Sequence, residues 1–164
     1  MTVINAAVDT ATRTLTVVGE FKATLDQVWE VWEDPRKLER WWGPPTYPAT
    51  FTRHDFVVGG ESRYFMTGPA GESPHGWWRI EAMDKPHRLE FANGLAGSDG
   101  EPMPGVEPMA AYVTLQRIDG GTRMTVVTNF VSVEQMETML DMGMKEGMAQ
   151  AVGQIDAVLS SKAV

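Results

Sequence analysis

Three histidines, His54, His75 and His87, are the side chains best suited to acid–base chemistry or metal ligation near neutral pH. They are scattered along the chain, with no H-E-x-x-H pattern or carboxylate cluster beside them, so no metal centre is expected. The serines Ser62, Ser73, Ser98 and Ser132 lack the glycine surroundings that expose a nucleophile on a sharp turn. No run of glycines carries the Lys and hydroxyl residue of a phosphate loop. The absence of cysteine removes thiolate nucleophiles, thiolate metal ligands and disulfides. No catalytic constellation and no cofactor can be read from these residues, although acid–base groups can still converge in three dimensions.

The sequence is unusual instead in its apolar residues, with 6 Trp and 11 Met in 164 positions. Indoles and thioethers fill large, irregular apolar volumes, which suits either a dense core or an adaptable pocket. The net charge of -8, with no Lys/Arg cluster, argues against a nucleic-acid partner, because phosphate backbones need massed cations. No apolar run approaches the roughly 18 residues of a membrane span, and the N-terminus does not read as a secretory signal. A cytoplasmic protein of one domain over residues 1–164, with a single core, is the expectation.

The elements that must position any site follow from periodicity. Residues 12–21 alternate and are rich in Thr and Val, which predicts a strand. Thr24 or Asp26 then caps a helix over Leu25–Glu33, and Asp34-Pro35 starts a second short helix ending at Trp42. Strands are expected at 49–58, 61–67, 76–83 and 86–92, separated by glycine turns. Residues 93–108 read as a long Gly/Pro-rich loop, either functional or a tolerated insertion. A hairpin over 109–117 and 122–131 follows, and then one long helix over 134–160 entered through Ser132 and Gln135. Its apolar stripe contains Gly143 and Gly147, which cost helix stability. Either the backbone approaches the sheet there, or side chains are missing to leave room. Flexible Met136, Met139, Met144 and Met148 surround them.

Segment 26–44, DQVWEVWEDPRKLERWWGP, resembles the signature of the activator of heat-shock protein 90 ATPase homologue family, within the START/Bet v 1-like SRPBCC superfamily. Val58-Gly59-Gly60, Gly68-Pro69-x-Gly71, Gly76 before Ile80-Glu81, Pro86-x-Arg88-Leu89-x-Phe91 and Gly120-Gly121-Thr122-Arg123-Met124-Thr125 continue the likeness in order. It extends over about residues 12–160. Family members place Gly-Trp where this chain has Gly147-Met148. The resemblance implies an α+β helix-grip fold. In it, a curved antiparallel sheet of about six to seven strands wraps around a long C-terminal helix, with two short helices after the first strand.

Such folds commonly enclose a cavity between sheet and helix, so the resemblance gives the alternating faces a destination. The inward face would carry Tyr64 and Met66, Trp78 and Ile80, Phe91, and Met124 and Val126. With Trp29, Trp41, Trp42, Tyr112, Met144 and Met148 these form the candidate lining, and His75 is a candidate for the rim. Tyr112 lies on the opposite alternation from Val113 and Leu115, and Trp41 or Trp42 could equally anchor the helical corner. The expectation is a binding protein for a small, largely apolar molecule, monomeric or homodimeric. The family's name implies a co-chaperone-like regulator of a chaperone ATPase as an alternative. Superfamily relatives imply another, an enzyme on a polyketide-like or aromatic substrate using Tyr64, His75, Arg79 or Glu81.

Overall fold

The computed structural model describes residues 3–160. Its elements run β1 (Val3–Asp9), β2 (Thr14–Phe21), α1 (Leu25–Glu33), α2 (Pro35–Leu38), β3 (Ala49–His54), β4 (Glu61–Met66), β5 (His75–Asp84), β6 (Arg88–Ala96), β7 (Met109–Ile118), β8 (Gly121–Asn129), α3 (Val133–Asp141), α4 (Met144–Gly153) and α5 (Ile155–Ser160). The strands form one antiparallel sheet in the order β1-β2-β8-β7-β6-β5-β4-β3. Helices cover one face of it, in the helix-grip arrangement.

Local chemistry sets the helical corner. Thr24 caps α1 through its hydroxyl, which accepts from the Gln27 amide, while the Gln27 side chain accepts from the Thr24 amide. This reciprocal box satisfies two amide donors that a helix start leaves unpaired. Asp34 ends α1 and caps α2, with Pro35 at the first helical position. Val28, Trp29, Val31 and Trp32 then face the sheet. Trp32 sits in the middle of the core, its ring 4.7 Å from Trp41 and 6.0 Å from both Trp42 and Trp78. Its indole N–H donates to the Met124 sulfur at 3.3 Å.

The sheet has eight strands, more than the six to seven expected, because residues near the N-terminus add β1 as an edge. Val3, Ile4 and Val8 are β-branched, but Asn5, Ala6 and Ala7 interrupt the signal between them, and pairing with β2 completes the strand. β6 also continues through Asn93 and Gly94 to Ala96, shortening the expected 93–108 loop to 97–108. The strand expected over 49–58 stops at His54, where Asp55–Gly60 turns back. A Cβ on Gly60 would lie 2.0 Å from the Asp55 carbonyl oxygen, so the turn admits only glycine. Helix α2 ends at Leu38 instead of Trp42.

The C-terminal segment is helical from Val133 to Ser160 but is not one rod. Gly143 takes φ +88°, a left-handed conformation that breaks α3 from α4, and Gln154 separates α4 from α5. The apolar stripe survives these breaks. Met136, Ala151, Val152, Ile155 and Val158 are all buried against the sheet or α1.

Candidate functional site

A cavity of about 240 Å³ lies between the sheet and the α3–α4 junction. Strand register explains its floor. Tyr64 pairs with Gly76 and Gly76 with Leu95, while Trp78 pairs with Asn93 and Asn93 with Met109. These adjacent cross-strand rows bring Tyr64, Leu95, Asn93 and Met109 to the cavity, with Met66 at the end of β4 and Trp42 and Pro44 from the helical corner. The roof is Met139, Gly143, Met144, Gly147 and Met148.

Two glycines set the shape of this space. A Cβ built on Gly147 meets nothing within 4 Å, so this glycine is not there for close packing; it leaves room. Gly76 does the reverse. A Cβ there would lie 2.3 Å from the Tyr64 hydroxyl, so glycine lets the phenol ring lie flat across β5. Phe51 stacks on the other side of that ring at 4.9 Å.

The walls are apolar, with a few polar tips. Burial pushes the Tyr64 phenol up, an effect that the neighbouring Trp42 indole only partly offsets, so the hydroxyl keeps its proton. The Trp42 indole nitrogen is buried without a hydrogen bond of ordinary geometry. Asn93 donates its side-chain amide to the Met109 carbonyl at 3.3 Å. Five methionines, Met66, Met109, Met139, Met144 and Met148, complete a lining that can change shape at little cost.

A second groove of about 350 Å³ adjoins the cavity and shares Gly94, Leu95, Met109 and Met139 with it. One wall is the segment Gly105–Glu107, and the other is α3 with Met142. Gln135 joins the walls: its amide donates to the Glu107 carbonyl at 2.7 Å, and its side-chain oxygen accepts from the Val131 amide at 2.9 Å. The other half of the 97–108 loop is fixed from outside the sheet, where Arg63 reaches the Gly100 carbonyl and the Glu101 carboxylate.

Among the residues expected to line a pocket, Trp42, Tyr64, Met66, Met144 and Met148 meet at the cavity. Trp29, Trp41, Trp78, Ile80, Phe91, Met124 and Val126 share the inward face but are packed solid, each no more than 2% exposed. Trp78 and Phe91 stack at 4.2 Å, and the Trp41 indole donates to the Val31 carbonyl at 2.9 Å, so these residues build the core beneath the cavity. Tyr112 must be corrected: it points to the outer face and is 39% exposed, as its alternation with buried Ala111 and Val113 requires. His75 is also off the rim. It packs on Phe65 at 5.7 Å, on the face opposite Tyr64, and its ring bonds to the Ser73 carbonyl. Asn93, Leu95 and Met109 were missed because they lie in or beside the stretch that reads as a loop. Met139, Gly143 and Gly147 carried a sequence signal, as the methionines and glycines of the helical stripe.

The enzymatic alternative needs groups that do not come together. Arg79 and Glu81 are exposed and paired with each other at 2.9 Å, His75 is on the outer face, and only Tyr64 reaches the cavity. His54 does contact a serine, with 2.7 Å between Nδ1 and the Ser62 hydroxyl. Its Nε2 donates to the Trp32 carbonyl at 2.8 Å, and Ser62 is fully buried, so the pair ties α1 to the sheet. Among the described residues, no three His, Asp or Glu side chains are grouped to hold a metal ion. Nor is any described helix long and apolar enough to cross a membrane.

Comparison with known proteins agrees with this fold. A solution NMR structure of an Arthrobacter aurescens protein is 47% identical, with TM-score 0.91 over 97% of this chain and 92% of that one. A crystal structure of a Mycobacterium smegmatis protein is 41% identical, with TM-score 0.90 over 99% of this chain and 100% of that one. The AHSA1 protein from Silicibacter pomeroyi shares the fold, with TM-score 0.72 at 17% identity over 90% of this chain and 97% of that one. No curated protein matches significantly. The family model for Activator of Hsp90 ATPase homolog 1-like protein matches residues 22–160, and the chain belongs to that family.

Proposed function

We infer that this protein binds a small, largely apolar molecule in the cavity between the sheet and the α3–α4 junction. The observation that carries this reading is the open volume beside Gly147, roofed by half-buried methionines in a helical stretch that is anchored to the core at its two ends by Met136 and by Ala151, Val152 and Ile155. A solid core needs no such gap, since protein interiors are close-packed. At about 240 Å³ the cavity is smaller than the roughly 300–1,000 Å³ of drug-sized sites, which favours a compact ligand or one that displaces methionines on entry. Affinity would come from apolar burial at about 25 cal/mol per Å², less the ordering cost, with Tyr64 and Asn93 orienting one polar end.

Native mass spectrometry of the purified protein, compared with the same sample denatured, tests this. A reproducible added mass that disappears on denaturation supports the reading. Loss of that mass in a variant with the cavity filled assigns it to this space, and retention would contradict the assignment.

A second reading, docking to a chaperone ATPase, is favoured by the family match. Exposed Met103, Val106, Val131, Val133 and Met142 supply apolar surface around the groove, and the acidic balance suits a basic partner. Stimulation of a purified chaperone's ATP hydrolysis supports it, and an unchanged rate at saturating protein contradicts it.

A further inference from the structure

Trp42 lines the cavity and buries its indole nitrogen with no hydrogen bond of ordinary geometry. A buried donor in this state costs stability, and native proteins keep few of them. Trp29 and Trp78 also bury an unpaired indole nitrogen, but neither lines this cavity. Both sit among rings, Trp29 edge-on to Phe56 at 5.6 Å and Trp78 stacked on Phe91 at 4.2 Å. Trp42 differs in facing the Tyr64 phenol oxygen, which it approaches without reaching ordinary hydrogen-bond geometry.

The pair has a direction. An indole N–H can only donate, so it takes the accepting side of the Tyr64 hydroxyl. The hydroxyl proton is left over at the cavity, and no acceptor among the described residues receives it. A hydroxyl that donates becomes a better acceptor, because hydrogen bonds in a chain polarise one another. A ligand oxygen that accepts from Tyr64 therefore also strengthens the Trp42 contact, and one ligand atom serves two buried donors. Asn93 does not decide the sense of the bond. It is 9% exposed, and one N–H donates to the Met109 carbonyl, which leaves its amide both a donor and an acceptor. Charge does decide, because the lining contains no Lys, Arg, His, Asp or Glu. A carboxylate or an ammonium would enter this apolar space without a counter-charge, at far greater cost than a neutral carbonyl.

We propose that the cavity takes a compact neutral molecule by its carbonyl oxygen, which accepts from the Tyr64 hydroxyl while the Trp42 indole donates to that hydroxyl from behind. This rests on the ligand-binding reading given above and names the class of ligand.

The test pairs cyclohexanone with methylenecyclohexane, which has the same ring and a methylene group in place of the oxygen. Both are titrated calorimetrically into the wild-type protein and into Y64F. Cyclohexanone is expected to bind Y64F roughly fivefold more weakly than the wild type, the worth of one net hydrogen bond, and methylenecyclohexane to bind both alike. The unchanged hydrocarbon also shows that Y64F keeps its fold and its cavity. A carbon-13 label on the ketone carbonyl adds a readout that packing alone does not move. The bound resonance lies downfield of its position in hexane for the wild type, and returns towards that position in Y64F. Equal weakening of both probes, an unchanged cyclohexanone affinity, or a carbonyl resonance that is the same in Y64F overturns the proposal and leaves the apolar-ligand reading intact. Failure of the wild type to bind either probe overturns both.

Discussion

Gly147 borders the cavity without a side chain, and a Cβ there would meet nothing within 4 Å, so a larger side chain at this position has the cavity to grow into. Gly147→Leu fills that space from the helix side. Leucine is also a better helix former than glycine, which costs about 0.8–1 kcal/mol relative to alanine, so thermal stability is expected to hold or rise while ligand binding is lost. Thermal melts together with native mass spectrometry check both halves, and retained binding in a stable variant would count against the site. His54 gives a different residue-scale prediction. Burial holds its pKa below the ordinary value of 6.5, against the opposing pull of the Trp32 carbonyl and of Asp55, Asp34 and Glu33. As pH falls, the unfolded chain takes up the proton before the folded one does. Stability from this group is therefore complete above 6.5 and is lost as pH falls from there through the folded value. Urea titrations across that range should show the slope in the wild type and a flatter profile in His54→Gln. An unchanged slope in the variant would assign the effect to another group.

At the scale of elements, the bend between α3 and α4 brings Met139 and Met144 to the same cavity. Gly143 makes that bend with a left-handed backbone, which costs an L-residue roughly 1–2 kcal/mol. Gly143→Ala is expected to lower stability by about that amount, read as a shifted urea midpoint with an unchanged slope. A neutral result would mean that the segment straightens without penalty. The same bend shows what was legible in the sequence and what was not. The apolar stripe from Met136 to Val158 is visible as a period, but a period persists across a one-residue break and does not reveal it. Strand β1 and the end of β6 were hidden for a related reason. Alanines, Asn93 and Gly94 have weak or contrary local preferences, and tertiary pairing overrides them. Alternation correctly identified the inward face of β4, β5 and β6. It could not separate Trp78 and Phe91, which fill the core, from Tyr64 and Met66, which border open space, because both sets obey the same period of two. That distinction depends on what the facing helix lacks, and only the assembled fold brings Gly147 opposite Tyr64 and Leu95.

At the scale of the whole molecule, a sheet and a broken helix share one core, and the core is solid everywhere near Trp32. The methionines divide accordingly. Met124 and Met136 are buried in the packed part, whereas Met66, Met109, Met139, Met144 and Met148 border the cavity. A ligand in the cavity must disturb the second set and leave the first alone. The most direct measurement is a titration of methyl-labelled methionine with octan-1-ol, followed by NMR. Saturable shifts at Met66, Met109, Met139, Met144 and Met148, with Met124 and Met136 still, are the predicted result. Saturation without movement of the cavity methionines, or shifts confined to exposed Met103 and Met142, would contradict the account.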